Sequence, residues 1–161
     1  MKSSIFCIIL ISFVLGGCAT VPKLSSMQIR EITTREFEAD YENVYRATLT
    51  IVQDNGYIIK NTDMQSGLIV ATIDKETSKG SQFAQAFFLG YVADKSTLIE
   101  LSCMVNKLNE TRQQLRINIQ ETNMSQFGGK NVIKQIYDTQ VYQGLFNDIR
   151  VEVKRREAMK R

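Results

Sequence analysis

Two alternating apolar runs on either side of a polar turn constrain this chain most. Ile99, Leu101, Cys103 and Val105 take every second position of residues 97–107. Leu115, Ile117 and Ile119 do the same within residues 111–122, and Asn109-Glu110 stands between the runs. A period of two puts each set on one face of a strand. Two such strands joined by a short polar turn make an antiparallel hairpin with one buried face and one wet face. That buried face needs a covering layer.

Two amphipathic stretches supply one. Asp40 is a good helix N-cap and Glu42 suits the first turn. Val44, Tyr45, Thr48, Ile51 and Val52 then recur at helical spacing, and Asn55-Gly56 offers a residue able to take positive φ at the end. Asp138 or Thr139 caps a last helix with Tyr142, Leu145, Phe146, Ile149 and Val153 as its apolar stripe. That helix finishes in Lys154-Arg155-Arg156 and Lys160-Arg161, cations that complement its dipole. Residues 57–63 and 67–73 read as a hairpin around Met64-Gln65-Ser66, and residues 131–137 as a further strand. Residues 27–39, rich in Ile, Thr and Phe, read as an extended strand. Ile29 and Ile32 would fall on its opposite faces, which calls for a bulge or an edge position. A helix over 81–93 would align Phe83, Phe87, Phe88 and Tyr91. The order is β-α-β-β-(α)-β-β-β-α, a single α+β domain with a mainly antiparallel sheet and both long helices packed on one face.

The amino-terminal segment is of another kind. Met1-Lys2-Ser3-Ser4 is short and cationic, and Ile5 to Val14 is an apolar run too short to span a bilayer comfortably. Leu15-Gly16-Gly17-Cys18 follows, and these four residues resemble the lipobox of bacterial lipoproteins. The resemblance implies diacylglycerol on the Cys18 thiol, cleavage between Gly17 and Cys18, and acylation (palmitate or a similar chain) of the new amino terminus. Several acyl chains on one residue anchor a protein stably. The chain then divides into a signal peptide at 1–17, a lipidated cysteine with a tether at 18–26, and an α+β periplasmic domain at 27–161. The alternative is an uncleaved helical anchor. Ala19, rather than an aspartate, follows the cysteine. By resemblance to sorting rules in enteric-type bacteria, this implies the outer membrane, with the domain facing the periplasm.

Composition excludes several functions. Twenty basic side chains face 17 acidic ones, a formal charge of +3, too weak to imply nucleic acid. No histidine is present, so the usual general base near neutral pH and the commonest neutral metal ligand are both missing. Of the three cysteines, Cys7 belongs to the signal segment and Cys18 to the lipidation sequence. Cys103 then has no internal partner. It alternates with apolar neighbours and reads as a small buried hydrophobe. Glu36, Glu38, Asp40 and Glu42 form an acidic cluster, with Glu36 and Glu38 on one strand face. Calcium-loop spacing is absent, so a solvated face plus a helix cap explains them. Gly128-Gly129-Lys130 lacks the frame of a phosphate loop. The basic tail could touch anionic headgroups, or simply keep a helix end soluble. Phe83, Phe87, Phe88 and Tyr91 either close one end of the core or contact a partner or membrane. No catalytic residue, metal or cofactor is expected.

A second resemblance rests on Arg35-Glu36-Phe37-Glu38, Asp40-Tyr41-Glu42-Asn43-Val44, Val52-Gln53-Asp54-Asn55-Gly56-Tyr57 and Gly67-Leu68-Ile69-Val70-Ala71. These resemble a group of uncharacterised bacterial outer-membrane lipoproteins, over about residues 27–74. The pattern is also similar to the helix-grip domains of the BamC lipoprotein of the β-barrel assembly machinery, by analogy of fold alone. The implied function is a non-catalytic, membrane-anchored interaction or structural module of the cell envelope. Its partners would be the bilayer, through Cys18, and an envelope protein. The alternative is a binder of a small ligand or lipid, held between helix and sheet.

Overall fold

A computed structural model describes residues 24–74, 97–123 and 132–160. Its elements run α1 (Ser26–Thr33), β1 (Thr34–Glu38), α2 (Tyr41–Asp54), β2 (Ile58–Asp63), β3 (Leu68–Asp74), β4 (Thr97–Lys107), β5 (Arg112–Asn123), β6 (Val132–Ile136) and α3 (Thr139–Met159). The hairpins and both long helices lie where the sequence places them. The expected helix over 81–93, with Phe83, Phe87, Phe88 and Tyr91, lies outside the described residues, as do Gly17 and Cys18.

One expectation is corrected. Residues 27–39 are not one strand, because residues 26–33 form α1 and only Thr34–Glu38 are extended. The cause is a capping box. The Ser25 hydroxyl accepts from the Gln28 N–H at 3.3 Å, and the Gln28 side chain accepts from the Ser25 N–H at 2.8 Å. In a helix Ile29, Ile32 and Thr33 turn inward together, which removes the conflict of faces that a strand would carry.

Six strands pair antiparallel in the order β1-β5-β4-β3-β2, and β6 also pairs with β5. β1 lies beside Arg112 to Arg116 of β5, and β6 beside Ile119 to Asn123. The two short strands therefore share one edge of β5 end to end. In β4 and β5, Ile99 faces Glu121, Leu101 faces Ile119, Cys103 faces Ile117 and Val105 faces Leu115. The opposite face is polar at its centre. Gln120 donates to Glu100 at 2.6 Å and Gln135 donates to Gln120 at 3.2 Å.

α2 and α3 cover the apolar face, and their stripes join the sheet in one core. Leu101, Leu115, Ile119, Leu145 and Ile149 are fully buried. Each such side chain contributes about 1.5–3 kcal/mol through burial. α2 ends as its sequence implies. The Gly56 N–H bonds the Gln53 carbonyl at 2.8 Å, the Tyr57 N–H bonds the Val52 carbonyl at 3.2 Å, and Gly56 takes φ 83°. Tyr41 and Tyr45 then fasten α2 to the β2–β3 hairpin, donating to the Met64 carbonyl in its turn and the Leu68 carbonyl at the start of β3 at 2.7 and 3.3 Å. Gly67 sits under this clamp at φ 80°. A Cβ there would collide with the Val105 carbonyl and come within 2.8 Å of the Tyr41 hydroxyl.

Candidate functional site

The surface depression that gathers most chemistry lies between β1 and α3. Three consecutive β1 residues, Glu36, Phe37 and Glu38, form one wall. Arg150, Val153, Lys154 and Glu157 of α3 form the other. The α3 residues stand at i, i+3, i+4 and i+7, so a single helix face lines the groove. Arg112 of β5 closes its side, and the enclosed volume is about 390 Å³. The trench opens at Glu38, Arg112 and Glu157 into a wider cleft of about 680 Å³ between Asp40 and the β4–β5 turn.

Buried polar contacts set this end of the domain. Gln113, fully buried, donates its amide to the carbonyls of Ala39 at 3.2 Å and Asn109 at 3.0 Å. It ties the end of β1 to the β4–β5 turn. Asn43 donates to the Val153 carbonyl at 3.2 Å, joining the first turn of α2 to α3. Neither was singled out in the sequence, because a lone polar residue within an apolar pattern carries no sign that it will be buried.

The acidic cluster separates into distinct roles. Glu36 pairs with Arg112 at 3.6 Å, and Glu42 pairs with Arg46 at 2.7 Å. Asp40 caps α2 through the Asn43 N–H at 2.7 Å and meets Lys160 at 3.0 Å. Burial pushes the Asp40 carboxyl up, but the Asn43 N–H and Lys160 outweigh it and hold it below its ordinary range. Glu38 lines the trench without an ion-pair partner among the described residues. Among those residues, no cluster of three or more potential ligands is placed to hold a metal ion.

The basic tail also divides. Glu152, buried on α3, accepts from Arg155 at 2.5 and 2.7 Å and from Arg156 at 3.2 Å. The bonds from Arg155 hold its carboxyl below the usual range. Lys160 serves Asp40, and Lys154 is left in the trench. Cys103 lies in the core with its thiol pushed up by burial. No described helix is long and apolar enough to cross a membrane.

An antiparallel sheet, two long helices on one face and a charged trench at the sheet edge define a single-domain α+β protein. No family profile and no curated protein matches the chain. Among solved structures it is similar to a DUF4468 family protein from Bacteroides ovatus ATCC 8483. That likeness has 11% identity and a TM-score of 0.41, over 83% of this chain and 90% of that one.

Proposed function

We propose that this chain is a lipid-anchored protein of the bacterial envelope whose folded domain is a non-catalytic interaction module. One observation carries the anchor: Leu15-Gly16-Gly17-Cys18 directly follows a cationic start and a ten-residue apolar run, Ile5 to Val14. Lipid on Cys18 confines the domain to a surface and raises its effective concentration toward partners there.

The described chemistry supports a binding role. The one described thiol is buried. The acidic residues at 36, 40 and 42 are committed to ion pairs or a helix cap. Between the helices and the sheet, Tyr142, Phe146, Leu101 and Leu115 fill the described core. The depressions described above are open and charged.

Expression in a two-membrane bacterium tests the anchor. The full chain should incorporate an alkyne analogue of palmitate and fractionate with the outer membrane. Cys18→Ser should lose both properties. A Cys18→Ser protein that still fractionated with membranes at normal processed size would overturn the reading.

A further inference from the structure

We infer that the trench between β1 and α3 is a docking site for an extended, bipolar peptide segment of a partner protein, which adds to β1 as an antiparallel strand. This deepens the interaction-module reading and rests on it. It does not depend on the lipid anchor.

Three observations carry it. First, β1 pairs with β5 on one side, and among the described residues no strand occupies its other side. A strand in that position presents unpaired N–H and C=O groups to any extended chain. Second, the opening lies along β1. Three consecutive β1 residues line it, opposite a single face of α3. A strand added there would lie about 4.8 Å from β1.

Third, the slot is electrically polar. Arg150 lies toward its Glu36 end, Lys154 stands between Arg150 and Glu157, and Arg112 pairs with Glu36 from β5. Glu38 and Glu157 lie at the other end, where the trench joins the wider cleft. Arg35 lies over the Phe146 ring and Asp40 meets Lys160, so residue numbers rise toward that end in both β1 and α3, and an antiparallel newcomer enters with its amino-terminal side at Glu38 and Glu157. Its basic residues belong there, and its acidic residues belong about three positions later, beside Arg150. Arg150 and Glu157 are two helical turns apart, about 10 Å, which matches three residues of strand.

β2, at the opposite edge of the sheet, is a poorer template. It carries a bulge between Ile59 and Asn61, with Lys60 there. Bulges and edge lysines are the usual means of blocking added strands.

The experiment uses the purified full chain and two end-capped, fluorescein-labelled peptides, SKRVTEDS and its reverse SDETVRKS. Both have one composition and opposite polarity. By fluorescence anisotropy the first should bind at least tenfold more tightly, and added salt should weaken it. Alternate backbone N-methylation should abolish binding in the register whose N–H groups face β1 and spare it in the other register, with every side chain kept. The double variant Arg150→Glu/Glu157→Lys, which removes the charge difference between the two ends, should lose the preference, which a merely folded-state effect would not do.

Equal affinity of the unaltered protein for both peptides, absence of binding at millimolar concentration, or an unchanged preference in the double variant would overturn the trench assignment. So would sedimentation showing that a second copy of the chain fills the trench, as a dimer lost in the double variant. Crosslinks in intact cells that mapped to another surface, without peptide binding, would leave the module reading standing and remove the trench. Polarity-selective peptide binding would support the trench even if the anchor failed its own test.

Discussion

Replacing Tyr142 by phenylalanine should cost far more than one oxygen atom suggests. Ile119 of β5 and Ile136 of β6 are partners in the ladder, at the point where β6 leaves the sheet for α3. Between them lies the Tyr142 hydroxyl. It accepts from the Ile119 N–H at 3.1 Å and donates to the Ile136 carbonyl at 3.1 Å. The side chain is 1% exposed, so water cannot readily take over either bond. Burial also pushes its phenol up, which keeps the donor protonated at any ordinary pH. Phenylalanine keeps the ring and its packing but strands one buried donor and one buried acceptor. Each stranded group costs roughly 1–3 kcal/mol, and partial closure of β6 onto β5 would recover some of that. The expected loss is about 2–4 kcal/mol. Tyr41→Phe is the control. It loses a single bond, to the Met64 carbonyl, at a half-buried position. That change should cost about 1 kcal/mol or less. Urea denaturation of the purified protein measures both, and hydrogen exchange should show faster exchange at the Ile119 amide. A Tyr142→Phe loss under about 0.5 kcal/mol with unchanged exchange at Ile119 would refute the reasoning.

Further outcomes follow from other parts of the fold. Gly67→Ala should destabilise by about 2–4 kcal/mol in the same assay, since the new methyl group meets backbone while φ stays positive. Asp40 and Glu152 titrate below their ordinary ranges, so each stabilises the fold above its unfolded-chain pKa and loses that effect as pH falls through the folded value. Stability should therefore hold from neutral pH to about 5 and fall below it, with a shallower acid limb in Glu152→Gln. Cys103 should resist thiol reagents at pH 8 until denaturant unfolds the domain, and reaction at the rate of a free thiol would contradict its burial.

Much of the architecture was legible because its signals are local. The alternation at Ile99 to Val105 and Leu115 to Ile119 fixed strand, face and partner together. Asp40, Asp138 and Gly56 marked helix ends by chemistry that acts within one turn. The error at residues 27–39 came from weighing Ile and Thr propensity above the Ser25–Gln28 capping box, a four-residue signal that decides α1. The trench was less legible. Glu36 and Glu38 stood out as acids, but their meaning depends on Arg150, Lys154 and Glu157, more than a hundred positions away. No linear pattern brings β1 beside one face of α3. Gln113 and Tyr142 show the same limit: their hydrogen bonds close gaps that exist only once the strands have assembled.

The lipid at residue 18 is the claim on which the proposed role turns. Intact-mass spectrometry of the protein extracted from membranes tests it most directly. The account predicts an amino terminus at Cys18 carrying diacylglycerol and a further acyl chain. A mature protein that kept residues 1–17, or that began elsewhere with an unmodified cysteine, would contradict it.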